Sequence, residues 1–136
     1  MMSPSEIVDK MMERDEFSRL LGISVIEIEK GKCILELKVK KEMLNGFHIA
    51  HGGITYSISD SALAFAANAY GIHAVSIETS ISHLKSLKEN DVLRSECIEI
   101  NRGKSIGLYE VKSFNQNQEL VAYFKGTVKI FREEWS

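Results

Sequence analysis

The chain has 136 residues, 44% of them hydrophobic, with 17 lysines and arginines, 19 aspartates and glutamates, and a net charge of −2. That length supports one core rather than two ordinary domains, and the dispersed, nearly balanced charge excludes the basic stripe of a nucleic-acid binder. No apolar run approaches the roughly 18 residues of a membrane span, and the N-terminus, with Glu6, Asp9 and Glu13, lacks the basic and apolar regions of a signal peptide, so a cytoplasmic protein is expected.

In chain order, Ser3-Pro4-Ser5-Glu6 reads as a capping box with proline in the first helical position. The helix it opens carries a partial apolar stripe of Ile7, Met11, Phe17, Leu20 and Leu21, and Gly22 is its expected stop. From Ile23 the period shortens. Val25 to Ile28, then Cys33, Leu35, Leu37 and Val39, alternate about Glu29-Lys30-Gly31, which predicts a hairpin. Cys33 and Cys97 lie in strand-like runs, too far apart for a CxxC motif, and are expected to be buried reduced thiols.

Next comes Asn45-Gly46-Phe47-His48-Ile49-Ala50-His51-Gly52-Gly53, followed by a helix in which Ile54, Ile58, Ala62, Phe65 and Ala69 recur at three- and four-residue steps. Gly52 and Gly53 at its start allow a ligand or a second backbone to come close. Their outward N–H groups suit a developing oxyanion. Asp60 sits about two turns in, where neither the helix dipole nor intrinsic propensity favours an aspartate. His48 and His51 stand three apart but have no third or fourth ligand nearby, so no metal is expected.

Beyond Gly71, four strands are predicted: Ala74 to Leu84, Val92 to Asn101, Ser105 to Phe114, and Leu120 to Phe131. Glu89-Asn90-Asp91, Arg102-Gly103-Lys104 and Asn115-Gln116-Asn117 supply the turns. His73 is expected to be exposed in a turn, the face of His83 is open, and the Glu-Glu-Trp tail reads as a loosely ordered end. Ser76 shares its predicted strand phase with Glu78, Ser80 and Ser82, a phase consistent with a solvated face. The order implies a single α+β domain over residues 1–136, a curved antiparallel sheet wrapped around a long helix whose alanines permit close approach, with an extra N-terminal helix. Exposed sheet edges make a homodimer the expected way of covering them.

Asn45, the run His51-Gly52-Gly53 and Asp60 together resemble the Asn…His-Gly-Gly…Asp signature of the hotdog-fold acyl-CoA thioesterases, and within them the phenylacetate-pathway, PaaI-type enzymes. Arg102-Gly103-Lys104-Ser105 and Val121-Ala122-Tyr123-Phe124-Lys125-Gly126 resemble later segments of that family, so the likeness covers nearly the whole chain. The resemblance implies a thioesterase hydrolysing an acyl-CoA, with an aromatic acyl group suggested by family alone. Asp60 would activate water or attack the carbonyl from one subunit. From the other, Gly52 would donate its N–H to the carbonyl oxygen and Asn45 would polarise it, with His51 holding the turn and assisting the leaving thiolate, Gly53 allowing close approach and Ser76 orienting the water.

Arg102, Lys104 and Ser105 are candidates for the coenzyme A phosphates. Where family members often carry an apolar-Arg-Pro run, this chain has His83-Leu84-Lys85-Ser86, so Lys85 would meet a phosphate as a point charge without arginine's fork. No cofactor is implied beyond the coenzyme A of the substrate, and the expected assembly is a dimer or a dimer of dimers. Tyr56, Phe65 and Tyr70 are candidates for an acyl pocket or for the core. The alternatives are a non-catalytic acyl-CoA sensor, against which Asp60 argues, and, more weakly, a hydratase on the same fold.

Overall fold

The computed structural model describes all 136 residues. Its first helix, α1 (Pro4–Arg14), opens on the expected capping box: the Glu6 N–H donates to Ser3 Oγ at 3.2 Å, and the Ser3 N–H donates to Glu6 Oε1 at 3.0 Å. The helix does not run on to Leu21. It breaks at Asp15, whose carboxylate accepts from the Ser18 N–H at 2.9 Å and the Ser18 hydroxyl at 2.6 Å, capping a separate short helix, α2 (Glu16–Leu20). Aspartate is a better N-cap than helix-interior residue, so the break follows its chemistry. It also turns Phe17 and Leu20 to solvent, whereas Ile7, Val8 and Leu21 are buried.

The hairpin forms as read. Strands β1 (Ser24–Glu29) and β2 (Lys32–Lys38) pair antiparallel, and Gly31 takes the turn at φ +76°. A 3-10 turn at Lys41–Met43 and a loop pinned by a Leu44–Ala50 bridge lead into helix α3 (Gly52–Asn68). Strands β3 (Ile72–His83), β4 (Val92–Arg102), β5 (Ile106–Phe114) and β6 (Leu120–Glu134) complete one antiparallel sheet of order β1-β2-β4-β5-β6-β3. The sheet wraps α3, which contacts all six strands. Ile58, Ala62, Leu63, Phe65, Ala66 and Ala67 are almost fully buried, the small residues admitting the curved sheet.

Two departures reshape β3 and the C-terminus. The β3–β6 register shifts between Ser76 and Glu78, a bulge at Ile77. One extra residue in a strand reverses the face of everything after it, so Ser76 does not share a face with Glu78, Ser80 and Ser82. Instead Ser76 reaches Asp60 on α3, and beyond the bulge Thr79 and His83 turn to α3, where they meet Tyr56 and Thr55.

The tail is held rather than loose: the Trp135 indole N–H donates to Asn68 Oδ1 at 2.9 Å and its backbone N–H to the Gly71 carbonyl at 2.9 Å. His73, part of β3 rather than a turn, is half-buried with its ring 4.4 Å from that of Trp135. Cys33 and Cys97 are buried opposite one another on β2 and β4, and desolvation pushes the Cys33 thiol up to about 12. No helix is long and apolar enough to cross a membrane.

Candidate active site

The first turn of α3 has two kinds of backbone donor. His51 is its N-cap, and its ring Nδ1 accepts from the Gly53 N–H at 2.9 Å, so the Gly53 donor is occupied and the proton of neutral His51 resides on Nε2. The Gly52 N–H has no partner within the chain and lies at the positive end of the helix dipole. Asn45 is fixed beside it by its own turn, its Oδ1 accepting from the Phe47 N–H at 2.9 Å and the Ile49 N–H at 3.4 Å. With the oxygen committed, the side-chain NH2 group is left to face outward as a donor.

Asn45 and Gly52 line one cavity of about 390 Å³, with Thr55 of α3, His83 of β3 and the loop Leu84–Leu87 closing its other side. The Thr55 hydroxyl lies 3.0 Å from the Gly52 carbonyl and 3.2 Å from His83 Nδ1, and its one proton can serve either acceptor. A Cβ at Gly52 would stand 3.1 Å from His83 Nε2, so glycine there makes room for the imidazole. His51 does not line this cavity. The arrangement can polarise a carbonyl.

Asp60 is elsewhere. It lies two turns along α3 from Gly52, about 12 Å at 1.5 Å of rise per residue. It borders a second cavity of about 410 Å³ with Met11, Ala64, Val75, Ser76 and Trp135 among the lining residues. Ser76 Oγ donates to Asp60 Oδ1 at 3.5 Å. Burial raises the Asp60 pKa above its ordinary value; the Ser76 hydrogen bond opposes the shift and the nearby charge of Asp15 adds to it. The single chain therefore unites Asn45 with Gly52 and, separately, Asp60 with Ser76.

The basic candidates also divide. Arg102 is committed within the fold: its guanidinium lies 3.8 Å from the Tyr70 ring centroid and donates to Tyr109 Oη at 3.0 Å and to the Ala67 carbonyl near the end of α3 at 3.3 Å. Lys85 borders the Asn45–Gly52 cavity with its ammonium paired to Glu119, a hydrogen bond that holds the Glu119 carboxyl below its usual range. Lys104 and Ser105 face a separate cavity with Lys129 and Arg132. Tyr56, Phe65 and Tyr70 line neither cavity at the two half-sites. The Tyr56 hydroxyl meets Thr79, Phe65 is in the core, and the Tyr70 hydroxyl donates to Glu99.

Three residues make contacts that the sequence does not reveal, His83 among them because its face is open there. Asn68 stitches α3 to β3, donating to the carbonyls of Ala64 and Ala74 and accepting from the Ala74 N–H. Thr55 and His83 meet only because the bulge sets the face of His83. A polar asparagine at the end of an alanine-rich helix was a signal for the first; no local pattern carried the second.

The match to the thioesterase superfamily spans residues 47–122. A protein of Archaeoglobus fulgidus is 36% identical over 95% of this chain and 84% of its own length. The acyl-coenzyme A thioesterase PaaI of Escherichia coli K12 is 34% identical over 85% of this chain and 83% of its own. The structure of the E. coli PaaI protein from the phenylacetic acid degradation operon superposes with a TM-score of 0.95, covering 98% of this chain and 96% of that one at 30% identity. That of smu.793 from Streptococcus mutans, bound to acetyl-CoA, gives 0.80 at 26% identity, covering 83% and 91%. With the sheet wrapped on α3, the glycine-led first turn and these relatives in agreement, the chain belongs to the thioesterase superfamily, as a hotdog-fold thioester hydrolase of the PaaI type.

Proposed function

We propose that the protein hydrolyses acyl-CoA to free acid and coenzyme A at a site shared by two subunits. The observation carrying this reading is the separation of the two half-sites on one helix: carbonyl-binding donors at Gly52 and Asn45, and a desolvated carboxylate two turns away at Asp60. A chain that cannot bring these groups together by itself can do so with a second copy. Strand β3 has β6 on one side only and leaves its other edge free, with Val75 and Ile77 56% and 58% exposed, which suits an edge covered by another subunit.

In this reading Gly52 and Asn45 of one subunit hold the thioester oxygen, and Asp60 of the other takes a proton from the attacking water. A raised carboxylate pKa suits a base better than an ordinary aspartate, because proton transfer is most effective when the pKa approaches the working pH. Ser76 orients that water, Gly53 and His51 hold the turn, and the acyl group rests in the cavity beside Asp60. The phenylacetic acid degradation operon of the structural counterpart favours an aromatic acyl group. Lys104, Ser105 and Lys85 are the groups read as meeting the coenzyme A phosphates, since Arg102 is held within the fold by Tyr70 and Tyr109, whereas the Lys85–Glu119 pair is half exposed and costs little to open.

The purified protein, mixed with a thiol reagent and acetyl-, octanoyl- or phenylacetyl-CoA, is expected to release thiol with turnover, fastest with the aromatic substrate. Binding of these compounds without thiol release would instead identify a sensor.

A further inference from the structure

We propose that His83 is a catalytic residue, its imidazole Nε2–H donating a third hydrogen bond to the thioester carbonyl oxygen beside the Gly52 N–H and the Asn45 NH2. The inference rests on the proposed shared site and adds to it a group that the Asn…His-Gly-Gly…Asp signature does not contain. The bulge at Ile77 turns the end of β3 so that His83 faces the first turn of α3. There its Nδ1 lies 3.2 Å from the Thr55 hydroxyl, and its Nε2–Cε1 edge occupies the space a side chain at position 52 would fill, 3.1 and 3.2 Å from that Cβ position. The same edge therefore packs on Gly52, whose N–H has no partner within the chain.

The chemistry of the cavity wall supports a donor. Asn45, Gly52 and His83 all line it, no carboxylate does, and its one charged side chain, Lys85, is paired with Glu119. The one Thr55 proton can serve either the Gly52 carbonyl or His83 Nδ1; turned to Nδ1, it leaves the proton of the neutral imidazole on Nε2, facing the cavity. His51, the histidine of the signature, is occupied at Nδ1 by the Gly53 N–H and lies outside the cavity wall.

In the reaction, the water oxygen bonds to the carbonyl carbon as its proton passes to Asp60 of the partner subunit, and the π pair moves onto the oxygen held by the three donors. Collapse then re-forms the carbonyl and breaks the C–S bond, with the electron pair leaving on sulfur. That thiolate is protonated at the expense of the proton held by Asp60, and His83 keeps its own proton throughout.

The test compares His83→Phe, which keeps a ring without nitrogen, with His83→Gln, which restores a non-titrating N–H donor, using whichever of acetyl-, octanoyl- and phenylacetyl-CoA the parent hydrolyses fastest. His83 is exposed, so both variants should keep the parental melting temperature. For His83→Phe, kcat is expected to fall by about tenfold to a hundredfold with KM within about twofold, the signature of a bond made in the transition state. His83→Gln should regain several-fold of that loss. A His83→Phe kcat at the parental level, a change in KM alone, or no rescue by His83→Gln would overturn the assignment. Asp60→Asn, measured in parallel, separates the two ideas: an inactive Asp60→Asn with a fully active His83→Phe defeats only the role of His83, whereas a fully active Asp60→Asn defeats the shared site beneath it.

Discussion

Asp60 has been placed where its charge is uncomfortable, and the discomfort has consequences for both activity and stability. Burial is the largest cause of its raised pKa. A carboxyl whose folded pKa lies above the unfolded value stabilises the protein fully only below the ordinary value of 3.8, and loses that contribution as pH rises through the folded value. At neutral pH the ionised group therefore weighs against folding. Asp60→Asn is expected to melt at a higher temperature than the parent at pH 7 while turning over its best acyl-CoA about a hundredfold more slowly, since amide replaces base. Calorimetry and a thiol-release assay check the two halves separately. For the parent, kcat/KM should decline towards acid with a midpoint above the ordinary aspartate value, and the limb should be missing from the residual activity of the asparagine variant.

At the scale of elements, the break between α1 and α2 and the bulge in β3 are small local events with distant effects. Asp15 ends one helix by capping the next, and its charge also raises the pKa of Asp60. Asp15→Asn keeps an oxygen for the Ser18 N–H and removes the charge, so the acid limb of the pH profile should move to lower pH with the fold retained; a limb unmoved against the parent would deny the coupling. On β6, a Cβ at Gly126 would come within 2.7 Å of Leu63 Cδ2 and 3.2 Å of Phe124 Cε1, inside the packed space between sheet and helix. Gly126→Ala should destabilise the protein by about 1–3 kcal/mol through overpacking, read from denaturant unfolding. Neither effect was legible in the residues alone. A strand's faces are assigned by counting in twos, and the count fails at Ile77, where a single inserted residue reverses Thr79, Ile81 and His83 relative to Ser76.

The whole molecule is where the two half-sites must meet. If each site takes Asn45 from one subunit and Asp60 from the other, Asn45→Ala and Asp60→Asn homodimers should both be nearly inactive. A heterodimer of the two holds one site with both lesions and one with neither, so verified subunit exchange should restore up to about half the parental activity per dimer, given independent sites. Exchange without recovery would assign the whole site to one subunit. A monodisperse monomer at assay concentration, measured by light scattering, would remove the shared site altogether. The free edge of β3, with Val75 and Ile77 exposed, is the surface whose covering these measurements report.

What the sequence determined by itself was what nearest neighbours decide: the capping box at Ser3, the hairpin at Gly31, the long helix opened by glycines, the segmentation of the later strands, and the spacing of Asn45, His51, Gly52, Gly53 and Asp60. Periodicity and turn chemistry act over a few residues, so they can be read in one dimension. Only the tertiary structure decided which partners those residues found. Arg102 turned to Tyr70 and Tyr109 instead of solvent, Trp135 tied the tail to Asn68, Ser76 reached Asp60, and His83 came to stand over Gly52. The physical reason is common to them: apart from the Arg102–Tyr109 bond across the β4–β5 hairpin, each contact joins segments well separated in the chain, and its existence depends on sheet register and helix placement, which the packing of the whole core selects.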